Sequence, residues 1–364
     1  MLRHALRVLL PLAFVLGAIA CTSREAQQPA PSTEAASLPS VTIMTFNVEN
    51  LFDTSDDPGK DDKTFLPLAR KQTEAHRQSC AEIQNSYWRD QCLSWDWSDE
   101  ILDKKMKVVA DAILQVDNGR GPDILAMQEV ENLNVLETLR TRYLQAAGYR
   151  PAILIEGRDE RGIDVAFLTR LDVVGAPKLH NIHFDGVSDA RVADTRGILE
   201  ATFRLPGGAL LTGYAVHFPA PYHPTEMRVT AYEFLQQLRS TLPPDRAVFA
   251  AGDFNTTSTE DKAKSMLARF ARPHWTVVHE TGTPGKGTTY YDRDGTWSFL
   301  DMILWSPARQ PAPGTSWSLR AHSVRIANNT AAQKQADGTP ARFELPSGSG
   351  VSDHWPLAFE LESK

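Results

Sequence analysis

The stretch Ala247-Val248-Phe249-Ala250-Ala251-Gly252-Asp253-Phe254-Asn255 decides how this chain is read. It opens as a short apolar run, the pattern of a buried strand. It breaks at Gly252 and then presents Asp253 and Asn255. In an extended backbone these two side chains share a face, because strand side chains alternate with period two. A carboxylate beside a carboxamide at the end of a buried strand is unfavourable unless something occupies them. Two readings follow: an Asx-rich turn that closes a strand, or the corner of an active site. The choice rests on whether other strand ends carry similar groups.

They do. Val41 to Asn50 reads as a first strand whose polar residues, Asn47 and Glu49, gather at its C-terminal end. Ile101 to Val116 has the apolar spacing of an amphipathic helix. Asp123 to Met127 is a buried strand that ends in Gln128-Glu129, and Leu133 to Ala147 reads as a second helix. Ala152 to Ile155 and Ile163 to Leu168 suggest a strand pair. Ile198 to Leu205 and Ala209 to Val216 suggest a hairpin that ends in His217. Met227 to Leu238 is a third helix, and Lys262 to Phe270 a short fourth. Phe299 to Trp305 is an apolar strand with Asp301 inside it, and Ser352-Asp353-His354 leads into a last strand, Trp355 to Leu361.

Each of these polar residues, taken alone, is ordinarily a cap or a satisfied core group. Asn47, Glu49, Glu129, His217, Asp253, Asn255, Asp353 and His354, all at strand ends, exceed what turn chemistry explains. Carboxylates, amides and imidazoles without thiolates suit a hard, oxygen-loving cation such as Mg²⁺ or Mn²⁺. Mg²⁺ takes few protein carboxylates and keeps positions for water and substrate phosphate, the arrangement of a phosphoester hydrolase.

Composition narrows the partners. The chain has 364 residues, 42% hydrophobic and 9% aromatic, enough for a sizeable core. Its formal net charge is −7, and loss of residues 1–20 with Arg3 and Arg7 leaves about −9. That sign opposes tight, non-specific binding to nucleic acid, which rests on phosphate neutralisation.

The N-terminus reads as a targeting segment. Arg3 and Arg7 precede an apolar run, Val8 to Ala20, too short to span a bilayer. Residues 1–20 fit a signal peptide, and Ala18-Ile19-Ala20 before Cys21 resembles a bacterial lipobox that would lipidate Cys21. Ordinary cleavage after Ala-x-Ala is the alternative. The expected location is periplasmic, or membrane-anchored through that lipid. Residues 21–40 have the composition of a flexible tether. The domain spans 41–364, with an irregular insertion at 53–98. Within it Asp53, Asp56, Asp57, Asp61 and Asp62 lack the spacing of an EF-hand loop and read as a solvated turn. Cys80 and Cys92 remain as a pair, and in an oxidising compartment a disulfide is the natural reading. Tyr87, Trp88, Trp95 and Trp97 beside it suggest either a stapled lid over a cleft or a small satellite core.

Thr45-Phe46-Asn47-Val48-Glu49, Gln128-Glu129, Val216-His217-Phe218, Gly252-Asp253-Phe254-Asn255, Leu300-Asp301-Met302-Ile303 and Ser352-Asp353-His354-Trp355-Pro356 resemble the successive motifs of the endonuclease/exonuclease/phosphatase superfamily. The resemblance implies an α+β fold, a four-layer α/β/β/α sandwich of two packed mixed sheets with helices outside and a site at one end. It implies Glu129 as principal metal ligand, helped by Asn47 and by Glu49 or Asp353. It implies Asp253 as the group that orients and deprotonates water, and Asn255 as a holder of water and a phosphate oxygen. His354, oriented by Asp301, and His217 would donate to the phosphoryl oxygens as cations. Arg161 and Arg196 are candidates to touch substrate phosphate.

The expected function is hydrolysis of phosphodiester or phosphomonoester bonds outside the cytoplasm, by a monomer. The substrate would be nucleic acid, a phospholipid head group or a small phosphoester. The alternatives are a nuclease acting on extracellular nucleic acid and a non-catalytic binding module on the same scaffold.

Overall fold

The computed structural model describes residues 39–282 and 285–364. The signal segment, Cys21 and nearly all of the tether lie outside them.

Eight strands position everything that follows: β1 (Ser40–Leu51), β2 (Ile124–Val130), β3 (Asp164–Thr169), β4 (Ile198–Arg204), β5 (Leu210–His217), β6 (Ala247–Asp253), β7 (Asp301–Ser306) and β8 (Leu357–Ser363). One sheet has β8-β1-β2-β3 at its centre, and the other has β7-β6-β5-β4. Each is built the same way. A parallel pair, β1 with β2 or β5 with β6, is flanked on both sides by antiparallel strands.

Alternation along the strands separates three apolar layers. Val41 and Ile43 of β1, Ile124 and Ala126 of β2, and Val165 and Phe167 of β3 face the opposite sheet. There they meet Ala201 and Phe203 of β4, Leu211 and Ala215 of β5, Phe249 and Ala251 of β6, and Ile303 of β7. Met44, Phe46 and Val48 turn outward beneath the helices Asp99–Leu114 and Leu133–Arg142. On the far side Tyr214, Val216, Val248 and Ala250 pack against Met227, Ala231, Tyr232 and Leu235 of the helix Thr225–Ser240. The result is the helix–sheet–sheet–helix sandwich that the motifs implied, buried on both faces of both sheets.

Local chemistry changes two of the helices. The expected helix over 262–270 instead occupies Ser258–Lys264, because Thr257 accepts the amide of Glu260 and starts it earlier. It stops at Ser265, which is left-handed (φ 55), and a π-helical turn follows at Leu267–Ala271. The helix at 133 ends at Arg142 and continues only as a 3-10 turn at Gln145–Ala147.

The insertion is less irregular than its composition suggests. Glu74–Ala81 and Ser86–Ser94 are helices, capped by Thr73 and Asn85 and joined by the Cys80–Cys92 disulfide. Trp97 joins Phe52, Ile101, Ile163 and Phe343 in a satellite core, and its indole N–H donates to the Phe52 carbonyl at 3.1 Å. Tyr87 and Trp88 stay exposed. Among the described residues no helix is long and apolar enough to cross a membrane.

Gly252 sits opposite Val216 in the parallel pair of the second sheet, with no room for a side chain. A Cβ there would lie 1.9 Å from the Val216 carbonyl oxygen, a backbone atom that cannot step aside. Gly252→Ala is therefore expected to destabilise the fold by about 3 kcal/mol or more, read as a lower urea midpoint. A midpoint equal to wild type would contradict this packing.

Candidate active site

The strand directions place the polar residues. C-terminal ends of the parallel pairs and N-terminal ends of the antiparallel strands beside them lie at the same end of a sheet. Register then aligns them: His217 pairs with Asp253, and Asp253 with Asp301. In the first sheet Asn47 pairs with Gln128, one residue before Glu129.

Across the two sheets the side chains meet on Asn47. Its Nδ2 donates to Glu129 Oε1 at 3.2 Å and to Asp253 Oδ2 at 3.3 Å. One neutral amide thus separates two carboxylates that come from different sheets. The second oxygen of Glu129 accepts the backbone amide of Asn50 at 3.1 Å. Asp253 Oδ2 also faces His217 Nε2 at 3.6 Å and His354 Nε2 at 3.9 Å.

Asp253 and Asn255 do not extend the strand, as period-two alternation would have it. Asn255 is left-handed (φ 51), and its amide turns back to donate to Asp253 Oδ1 at 2.8 Å. The Asx turn and the polar corner are the same structure. The Asn255 side-chain amide spends one N–H on the Phe218 carbonyl, at 3.0 Å. Glu49, Asn50 and Glu129 are left-handed as well, with φ of 54, 60 and 63. Such strain in residues other than glycine gathers at functional sites.

The two histidines differ in charge. His354 Nδ1 lies 2.7 Å from Asp301 Oδ2, and Asp301 is fully buried. Burial would lower the His354 pKa, but Asp301, with Asp353 and Asp253, overrides it and holds the imidazole well above its usual value. His217 has no such partner. Burial, with Arg196 and Arg161 nearby, pushes its pKa well below the usual value. These surroundings favour the neutral imidazole, whereas the resemblance implies a second cationic donor at this position. Burial also raises Asp253, with Asp301 and Glu129 adding to it and His354 opposing, to about 7.

Glu49 and Asp353 border this centre: the Glu49 amide donates to Asn47 Oδ1 at 3.0 Å, and Asp353 Oδ1 lies 3.9 Å from His354 Nε2. Glu49 Oε1 meets Arg342 Nε at 2.8 Å, while Oε2 accepts the amides of Phe343 and Asp353 at 3.1 and 3.2 Å. Asp353 pairs with the same guanidinium. Arg342 lies in the polar loop before the last strand, and nothing in the local sequence marks it. Ser352 was also missed as a tie. Its hydroxyl donates to the Asn47 carbonyl at 2.8 Å and accepts the His354 amide at 3.0 Å, linking the first motif to the last.

The two arginines proposed for phosphate contact part company. Arg196 is 2% exposed and pairs with buried Asp159 at 3.1 Å. It also donates to the Phe218 carbonyl at 3.4 Å, so it supports the site from within. Arg161 is half-exposed, 4.0 Å from the same carboxylate. Burial opposes it, but Asp159, Glu129 and Asp194 raise its pKa, so its charge acts on the site.

Two family models, both described as Endonuclease/Exonuclease/phosphatase family, match residues 85–354 and 42–85. The chain belongs to the endonuclease/exonuclease/phosphatase family. Among solved structures it is similar to a member of that family from Bacteroides thetaiotaomicron, at 16% identity and TM-score 0.51, covering 89% of this chain and 98% of that one. It is similar to a humanized D. rerio TDP2, at 15% identity and TM-score 0.50, covering 89% and 99%. A third neighbour is a mannosyl-6-phosphatase of Bacteroides thetaiotaomicron, at 16% identity and TM-score 0.50, covering 88% and 99%. No curated protein matches the chain. As a member of the endonuclease/exonuclease/phosphatase family it is a hydrolase of phosphoester bonds, which sets aside the non-catalytic binding module. The family generally uses divalent metal ions.

The Arg196–Asp159 pair supports a stability test. Arg196→Met would leave Asp159 buried without its closest cation, a loss of about 3 kcal/mol or more. Urea unfolding should show this. A variant as stable as wild type would show that the pair adds nothing.

Proposed function

We propose that this chain is a divalent-metal-dependent phosphoesterase in which Asp253 activates the attacking water and His354 stabilises the phosphoryl oxygens. One observation carries the reading. A single buried oxygen, Asp253 Oδ2, is surrounded by Asn47 Nδ2 at 3.3 Å, His217 Nε2 at 3.6 Å and His354 Nε2 at 3.9 Å. A carboxylate with a pKa of about 7 is matched to taking a proton from water at neutral pH.

The donor set fits a hard cation. Glu129 and Asp253 repel each other across one neutral amide, and the groups around them are carboxylates, an amide and imidazoles with no thiolate. Arg342 already balances Glu49 and Asp353, so the ion is assigned to Glu129 with Asn47, and Mg²⁺ or Mn²⁺ suits them. When bound, such an ion polarises and orients the phosphoryl group. The residues do the rest. Asp253 orients the water in line and accepts its proton. Charged His354, held by Asp301, donates from Nε2 to the oxygens where negative charge builds. His217 supplies a neutral N–H beside it, and Asn255 offers its remaining amide N–H to water or phosphate. Arg161 meets the substrate from the rim.

For the substrate we favour phosphomonoesters or small phosphodiesters, lipid head groups included, over nucleic acid. The mature charge of about −9 supports this choice. The test compares p-nitrophenyl phosphate, bis-p-nitrophenyl phosphate, phospholipids and plasmid DNA in parallel, with Mg²⁺ or Mn²⁺. Asp253→Ala and His354→Ala should each lower kcat by about a hundredfold or more on whichever ester turns over. Activity that survives Asp253→Ala would sink the mechanism. Nicking of the plasmid without turnover of the small esters would return the nuclease reading.

We also propose export and anchoring through a lipidated Cys21, supported by Arg3, Arg7 and the apolar run that precedes it. The Cys80–Cys92 disulfide fits an oxidising compartment. Mass spectrometry of the mature chain should find an N-terminal Cys21 bearing acyl mass. An unmodified Cys21 would refute the anchor.

A further inference from the structure

The aspartate-rich loop after β1 is not the solvated turn that its composition suggests. Asp62 is 1% exposed, and it packs against Glu131, 3% exposed, just past the end of β2. Asp57, half-buried, completes the group. Each of the three acids places an oxygen within 4.8 Å of the others.

Hydrogen bonds occupy only part of this cluster. Glu131 Oε2 accepts the Asp53 amide at 2.6 Å, and Asp62 Oδ2 accepts the Asp57 amide at 2.8 Å. The other oxygen of each, Glu131 Oε1 and Asp62 Oδ1, is buried with no donor. Asn132 Nδ2 bridges Asp53 Oδ2 and Asp57 Oδ2, both at 3.3 Å, but brings no charge. The charges that act most strongly on Asp62 and Glu131 are those of Asp53, Asp56, Asp57 and Asp62, all negative. Buried ionised carboxylates without donors are strongly disfavoured, and either a proton or a cation relieves them. Burial and the neighbouring acids raise Asp62 to about 6 and Glu131 to about 9, so a bound cation would displace protons from this cluster. The Arg342 group shows the contrast, because there an arginine faces Glu49 and Asp353.

We infer that Asp57, Asp62 and Glu131 bind a divalent cation at a structural site separate from Glu129 and Asp253. Ligands that are all oxygen and come partly from a loop suit the flexible, many-oxygen shell of calcium. Asp53 and Asn132 steady two of the acids. The placement gives the ion a task. Glu131 N–H donates to the Leu51 carbonyl at 3.0 Å, and Asn50 N–H to Glu129 at 3.1 Å. An ion held there pins the segment leaving β1 to the end of β2, the two strand ends that carry Asn47 and Glu129. This inference does not depend on the proposed mechanism.

The test strips the full chain with chelator and titrates it with CaCl₂ over a background of excess MgCl₂. Calorimetry counts the ions, and thermal unfolding follows stability. One Ca²⁺ per chain should bind, and Tm should rise by about 5 °C at calcium a hundredfold above Kd. Glu129→Gln should keep this binding. Asp57→Asn/Asp62→Asn should weaken it by about a hundredfold or more, while folding normally in calcium-free buffer because a buried repulsion is removed. Asp57→Ala, at a half-buried position, is the second variant should the double one fail to fold, and it should weaken binding as well. No Ca²⁺ uptake by wild type would overturn the inference. So would uptake that disappears in Glu129→Gln but persists in the Asp57 and Asp62 variants, because the ion would then belong to the catalytic centre.

Discussion

The structure depends on one topological constraint: each sheet holds a single parallel pair at its centre, and every strand beside that pair runs the other way. A parallel pair puts two C-terminal ends side by side. Its antiparallel neighbours bring their N-terminal ends to the same edge. Stacking two such sheets gathers Asn47, Glu129, His217, Asp253, Asp301 and His354 at one end from six separate stretches of chain. The apolar middles of the same strands form the core, so one set of segments provides both rigidity and chemistry. Few loops are needed to position these groups, which favours a site held to a fraction of an ångström.

Electrostatics divide that end into adjoining zones of different charge. Around Asn47, two carboxylates from different sheets share one amide and invite a cation. Behind His354, Asp301 keeps an imidazole charged, whereas His217, lacking such a partner and close to Arg196, stays neutral. Identical side chains thus have their pKa values pushed in opposite directions through their neighbours alone. The third zone joins Glu49 and Asp353 through Arg342, and there the protein supplies its own positive charge.

The strands and the motifs were legible in the sequence because both are local. β6 and β7 show themselves as apolar runs of the right length, and Gly252-Asp253 announces a strand end. The sandwich itself came from the order of motifs, since periodicity alone does not say which strands pair. What stayed hidden depended on distant contacts. Arg196 reads as a candidate for substrate phosphate, and its burial against Asp159 depends on a contact that is distant in sequence. Asp62 lies in a run of acids that reads as solvent-facing, and its burial needs Glu131, far along the chain. Arg342 sits in a polar loop whose position beside Glu49 follows only from the pairing of β8 with β1. The charge preference of His217 is hidden for the same reason: a pKa is set by neighbours, and Arg196 and Arg161 are remote in sequence.

Backbone strain explains why the catalytic end needs so much support. Glu49, Asn50, Glu129 and Asn255 are all left-handed, at about 1 kcal/mol or more each for residues other than glycine. Regular pairing would turn the Glu129 side chain to a different place. The register instead shifts around Glu129 in its pairing with both β1 and β3, and the shift frees that residue to swing toward Asn47. The strain persists because hydrogen bonds from both sides hold it: Asn47 Nδ2 and the Asn50 amide clamp the Glu129 carboxylate, and the Asp253 carboxylate holds Asn255. Three buried apolar layers hold the strand stems still while their ends depart from regular geometry. Rigidity in the middle of the sandwich and distortion at its end are therefore two parts of one design, and the acids beside Glu131 lie at the seam where the two meet.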